Sequence, residues 1–208
     1  MAHPQTLGVV LAGGRARRMG GGDKARIQIG GSTILQRVLD RLRPQCRNVI
    51  LSANADPARL ADMGLPVVAD SVPDYAGPLA GILAALDWTA RHAAKIEWMV
   101  SAPSDCPFLP RDLVPRLHAA RRDAGAELAC ARSGERRHPV IALWPVTLRE
   151  KLRRALTVEG IRKVDEWTAR YAVGIADWPI TPIDPFFNVN TPEDAAEAEL
   201  LAARHPEI

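Results

Sequence analysis

A chain of 208 residues, 47% hydrophobic and 25% charged, has the composition of an ordinary globular protein and the length of one α/β core, which sets aside disorder and fibrous architecture. Its net charge of +3 is scattered over Arg15/Arg17/Arg18, Arg121/Arg122, Arg136/Arg137 and Arg153/Arg154, with only two Tyr and three Phe to stack on bases, so phosphorylated small molecules are the expected ligands rather than nucleic acid. No stretch approaches the ~20 uninterrupted apolar residues of a membrane span, and residues 1–6 lack the charged and apolar regions of an export signal, so the sequence predicts a cytoplasmic protein.

The first strand is expected at Leu7 to Leu11, followed directly by a glycine-rich segment, Leu11-Ala12-Gly13-Gly14-Arg15-Ala16-Arg17-Arg18-Met19-Gly20-Gly21-Gly22-Asp23-Lys24. A helix follows, with Ile34, Leu35, Val38, Leu39 and Leu42 on one face and Thr33 and Gln36 spaced as a capping box. Strands are expected at Asn48 to Ser52 and Val67 to Ala69. Gly77-Pro78 opens a second helix carrying Leu79, Ile82, Leu83 and Leu86 at helical spacing. Trp98 to Ser101 reads as a strand, and Leu113 to Leu117 after Pro110 as a helix. Glu127 to Ala131 and Val140 to Trp144 read as strands joined by an exposed turn from Ala131 to Pro139, and Ala172 to Ile175 as the last strand. Thr191-Pro192-Glu193-Asp194 combines a cap, a proline at the first helical position and acids at the positive helix end, opening a final helix to about Ala203. Strands alternating with helices predict one α/β domain over 1–208, a Rossmann-like, mostly parallel mixed sheet flanked by helices. Cys46, Cys106 and Cys130 are odd in number and far apart, which fits reduced thiols better than a disulfide or zinc framework.

The chemistry gathers where strands end. The glycine loop leaves the carboxyl edge of the sheet, where open α/β folds bind ligands, and glycines let backbone N–H groups approach a ligand while Arg15, Arg18 and Lys24 supply charge for a triphosphate. It is neither G-x-G-x-x-G opening a helix nor GK[ST], so the dinucleotide and P-loop readings both fail. Asp105, after the strand at Trp98 to Ser101, should hang at the same edge, where one carboxylate with phosphate oxygens and water suits Mg²⁺. Asp70 ends a short strand before Gly77-Pro78-Leu79-Ala80-Gly81, placed to accept either from guanine N–H donors or from a ribose hydroxyl.

The motif L-A-G-G at Leu11 to Gly14, then R-M-G and D-K, resembles the signature of nucleotidyltransferases that build nucleoside diphosphate sugars, and within them the molybdenum cofactor guanylyltransferase family. The resemblance continues through Asp70 to Gly81, Ser104-Asp105-Cys106-Pro107-Phe108, Arg137-His138-Pro139 and Phe187-Asn188-Val189-Asn190-Thr191-Pro192. It implies transfer of GMP from GTP to the phosphate of molybdopterin or Mo-molybdopterin, with Mg²⁺ on Asp105 and Asn190 placed like a metal-binding Asn of related enzymes. Nucleotide contacts are then expected from Leu11, Ala12, Gly13, Gly14, Lys24, Asp70, Pro78, Leu79 and Asp105. A family Asn at the end of the second strand is replaced by Ser52-Ala53-Asn54, so that contact falls to Ser52 or Asn54. His138, Asn188 and Asn190 are expected on the acceptor, with Arg15 and Lys24 neutralising departing pyrophosphate. Transient contact with molybdoenzymes or their chaperones is a further family expectation. A cytidylyltransferase of the same fold and a non-catalytic nucleotide-binding module are the alternatives.

Overall fold

The computed structural model describes residues 3–12, 26–54, 57–72 and 77–208. Seven strands form one sheet: β1 (Thr6–Leu11), β4 (Asn48–Ser52), β5 (Val67–Val68), β6 (Trp98–Pro103), β7 (Leu128–Ser133), β8 (Arg136–Pro145) and β9 (Val173–Trp178), in the order β5-β4-β1-β6-β8-β7-β9. β5, β4, β1 and β6 are parallel, β8 runs antiparallel to β6 and β7, and β9 is parallel to β7. The mostly parallel mixed sheet expected from the sequence is therefore present, with β8 as its reversed strand.

Helices cover both faces. α1 (Ile34–Leu42) and α3 (Leu113–Asp123) bury Leu35, Val38, Leu39, Leu42, Val114 and Leu117 against one face. α2 (Pro78–His92), α4 (Arg149–Thr157) and α5 (Val164–Thr168) bury Ile82, Leu83, Leu86, Leu152, Leu156 and Trp167 against the other. α6 (Pro192–Arg204) packs Ala198 and Ala202 on a smaller cluster with Ile29, Ile34 and Phe108. With both faces covered, the central strands read as continuous apolar runs, which is why the sequence betrayed them.

Several expectations need correcting. The Thr33 hydroxyl accepts from Gln36 N at 3.1 Å, but the Gln36 side chain reaches Asp40 at 2.6 Å, so only half of that capping box forms. The complete box is at α6, where Thr191 Oγ1 accepts from Asp194 N and Asp194 accepts from Thr191 N. The exposed turn expected over Ala131 to Pro139 shrinks to Gly134 and Glu135, Gly134 having φ +54°, because β7 and β8 run into it from both sides. Their register slips where Ala131 faces His138 and Cys130 faces Ala142; Pro139, lacking an N–H, lies in this irregular stretch of β8. The hairpin of β2 (Gln28–Ile29) and β3 (Ser32–Thr33), turning at Gly30 and Gly31 with φ of +57° and +79°, is too short to show a period. α4 escaped detection because only Leu152, Ala155 and Leu156 of its nine residues are buried.

Candidate functional site

The four parallel strands end in register. Leu11 pairs with Ser52 on one side and Pro103 on the other, and Ser52 pairs with Val68. The residues that follow these ends, Ala12, Ala53-Asn54, Ala69-Asp70 and Ser104-Asp105, therefore emerge along one edge of the sheet. Backbone bonds stitch that edge: Ala12 N donates to Ser52 O at 2.8 Å, Ala53 N to Val68 O at 3.0 Å and Ser104 N to Leu11 O at 3.1 Å. Gly13, Gly14, Arg15 and Lys24 lie outside the described residues.

Asn54 and Asp70 form a reciprocal pair. Asn54 Nδ2 donates to Asp70 Oδ2 at 2.6 Å, and Asp70 N donates to Asn54 Oδ1 at 2.8 Å. Burial pushes the Asp70 carboxyl up from its ordinary range, and the bond from Asn54 partly opposes that shift. Ser52 sits elsewhere: it is buried, and an ideal Cβ on Gly81 would lie 2.6 Å from its Oγ and 3.1 Å from Leu11 Cδ2. Glycine at position 81 thus lets the first turn of α2 lie directly on the ends of β1 and β4. Pro78 is exposed at the start of that turn, whereas the Leu79 side chain is packed in the core, leaving its backbone at the helix start.

A second clamp lies behind this turn. Asp87 of α2 is buried and accepts from Arg153 of α4 at 2.6 and 2.7 Å and from Ser71 Oγ at 3.3 Å, which ties the turn after Asp70 to two helices. The side-chain bond to Asp87 raises the Arg153 pKa above its ordinary value. Sequence reasoning missed this pair, because an Asp on an apolar helix face carries no motif.

Asp105 is half-buried with Oδ1 shielded from solvent, and its carbonyl accepts from Val189 N at 3.0 Å. That bond brings the loop before α6 onto the end of β6. Asn188 Oδ1 accepts from Cys106 Sγ at 2.9 Å, and Asn190 N donates to Asp194 Oδ2 at 2.7 Å. His138 is not in an exposed turn. It is buried in β8, with Nε2 2.8 Å from Ser133 Oγ and its ring 4.7 Å from that of Phe186. Burial depresses its pKa below the ordinary 6.5, against a smaller opposing influence of Asp184. Among the described residues no group of three or more His, Cys, Asp or Glu converges on a point. A carboxylate at the strand edge, such as that of Asp105, suits an ion held mainly by phosphate oxygens and water, as Mg²⁺ is.

Comparison with known proteins agrees with this architecture. Residues 8–172 match the family model of the MobA-like NTP transferase domain. The chain is 64% identical over 200 residues to the molybdenum cofactor guanylyltransferase of Nitrobacter hamburgensis, covering 96% of both chains. It is 61% identical over 202 residues to that of Rhodopseudomonas palustris, covering 97% of this chain and 96% of the relative. Among solved structures, molybdopterin-guanine dinucleotide biosynthesis protein A from Archaeoglobus fulgidus superposes with a TM-score of 0.73 at 25% identity, over 95% of this chain and 99% of that one. The 4-diphosphocytidyl-2C-methyl-D-erythritol synthase of Anaerococcus prevotii superposes at 0.74 with 12% identity, over 97% of each chain, a likeness of fold alone.

Proposed function

The chain belongs to the MobA-like NTP transferase family and is a nucleotidyltransferase, and from that premise we propose that it transfers GMP from GTP to the phosphate of molybdopterin, releasing pyrophosphate. One observation carries the reading: the Asp105 carbonyl holds Val189 N at 3.0 Å, joining the nucleotide edge of the parallel strands to the Asn188–Asn190 loop at one point. In this division the N-terminal half binds nucleotide and metal, and the C-terminal half binds the acceptor. The identity to guanylyltransferases supports guanine over cytosine, since the cytidylyl synthase of Anaerococcus prevotii shares only the fold.

Each residue then has a task. The Asn54–Asp70 pair presents carboxylate oxygen to the N–H donors of guanine, with Asn54 rather than Ser52 at the nucleotide, because Ser52 is covered by α2. Leu11, Ala12 and the backbone at Pro78 and Leu79 border the nucleotide, and Gly13, Gly14, Arg15 and Lys24 bind the phosphates. Asp105 would hold Mg²⁺, with Asn190 as a candidate second ligand, and when bound the ion would offset charge on the triphosphate. Asn188 and Asn190 hold the acceptor, metallated or not, and His138 supports them from behind through Phe186. The attacking phosphate is already ionised, so the site needs no general base, and its residues act by positioning and electrostatics. These tasks suit a cytoplasmic enzyme that meets molybdoenzymes or their chaperones transiently. Among the described residues no helix is long and apolar enough to cross a membrane.

The test is incubation of the purified protein with molybdopterin, Mg²⁺ and either GTP or CTP, measuring pyrophosphate and dinucleotide product. Product with GTP alone is expected; product with CTP alone would overturn the base assignment, and pyrophosphate from neither would overturn the reaction.

A further inference from the structure

Cys106 is fully buried immediately after Asp105, and its Sγ lies 2.9 Å from Asn188 Oδ1 against 3.8 Å from Phe186 O. A thiol has one proton to give, and the distances direct it to the amide oxygen of Asn188. That bond settles which way the amide faces. Its oxygen is held inward, so the Nδ2 hydrogens face the other way, and among the described residues they donate to nothing. Asn188 is only half-buried, so these donors stand at the surface of the loop that Val189 N fastens to the Asp105 carbonyl. A fixed, outward pair of N–H donors suits a phosphate or carbonyl oxygen of a ligand and gives nothing to the packing of the core. Phe186 backs the same node, its ring 4.7 Å from His138 and 5.3 Å from Trp178, so the loop cannot easily turn the amide by shifting as a whole.

We propose that Cys106 is a positioning residue that orients the Asn188 amide toward the acceptor substrate, a role that rests on the reading of the site as one for a phosphorylated acceptor. Cys106 touches no substrate itself. It fixes the donor direction of Asn188 while its neighbour Asp105 serves the nucleotide side, so a change at Cys106 should separate the two substrates kinetically.

The experiment compares Cys106→Ala, which removes the donor, with Cys106→Ser, which keeps one, in the intact protein. Losing one hydrogen bond of ordinary strength should raise the molybdopterin KM about tenfold. The GTP KM and kcat should stay near wild type, and Cys106→Ser should recover most of the loss. Asn188→Ala should match or exceed that loss, and the double variant Cys106→Ala/Asn188→Ala should be no worse than Asn188→Ala alone, because the thiol acts through the amide. Equal rises in both KM values, or additive losses in the double variant, would overturn the proposal. If the wild type turns over no molybdopterin, the acceptor reading has failed separately. In every case the side-chain ¹⁵N–¹H resonances of Asn188 test the bond directly: they should move in Cys106→Ala and return in Cys106→Ser, and unchanged resonances in Cys106→Ala refute it.

Discussion

Asp105 and Asp70 are carboxylates at neighbouring strand ends, yet their surroundings give them different work. Asp105 is fastened by its own carbonyl to the Asn188–Asn190 loop, which fixes its backbone where the proposed nucleotide and acceptor sides meet. Replacing it with Asn keeps size and hydrogen bonding but removes the charge; the expected outcome is a kcat lower by a factor on the order of 10² to 10³, with GTP affinity changed far less, read by pyrophosphate release. Asp70 is instead paired with Asn54. In Asp70→Asn the acceptor oxygen proposed to face guanine is lost in part and the pair can be rebuilt amide to amide, so the GTP KM should rise about tenfold and the preference for GTP over CTP should narrow. A large fall in kcat with an unchanged GTP KM would place Asp70 on the reacting phosphates instead. Both stand out in the sequence as candidates because each lies just past the end of an apolar strand. Cys106, Asp87 and Arg153 do not, since their importance lies in partners 66 or more positions away, which no local pattern encodes.

Two glycines show how elements are brought into contact, and they predict different phenotypes. At Gly81 an added Cβ would meet the Ser52 hydroxyl at 2.6 Å and Leu11 Cδ2 at 3.1 Å, so in Gly81→Ala either these two packed side chains must turn or the start of α2 must lift off the ends of β1 and β4. At Gly174 it would meet the Ala120 carbonyl oxygen at 2.5 Å, so Gly174→Ala must push α3 off β9. Each should cost about 1–3 kcal/mol in unfolding by denaturant. Only Gly81→Ala should also weaken GTP binding, because Gly174 is at the amino end of its strand, next to Val173, away from the nucleotide edge. Equal effects on GTP binding would break the assignment of α2 to the nucleotide site. The same elements mark the limit of sequence reading. Strands buried on both faces and helices with a broad apolar stripe announced themselves. α4, α5 and the β2–β3 hairpin did not, because they are short or mostly solvent-facing and are held by tertiary contacts rather than by their own periodicity.

For the molecule as a whole, the sheet separates stability from chemistry along its strands. The proposed site lies at the carboxyl ends, while the amino ends carry an acid-sensitive group in the core: His118 of α3, buried and 2.8 Å from Thr6 Oγ1 at the start of β1. Thr6 gives its hydroxyl proton to Pro4 O at 2.9 Å, so it must accept from His118 Nε2, and His118 Nδ1 finds no hydrogen-bond partner among the described residues. Protonating Nδ1 would bury a charge beside His3 at 5.5 Å, with Arg121 stacked over the adjoining Trp98 and Arg122 nearby on the same helix. Burial, followed by the repulsion of His3, Arg121 and Arg122, holds the His118 pKa down from 6.5 to about 4. Because the folded value lies below the unfolded one, the unfolded chain takes up a proton first as pH falls below 6.5, and stability is lost until about pH 4, where the loss levels off. Its full size is on the order of 3 kcal/mol. His118→Gln can keep the bond to Thr6 without titrating, so the difference in unfolding free energy between wild type and variant should change with pH across this window and stay flat above pH 7. The strand β1 is six residues long, which places His118 roughly 17 Å from the nucleotide edge. The variant's GTP KM at pH 7 should therefore match the wild type. A pH-independent stability difference would mean that His118 titrates in the fold as it does in the unfolded chain, which would overturn the depressed pKa assigned to this buried ring.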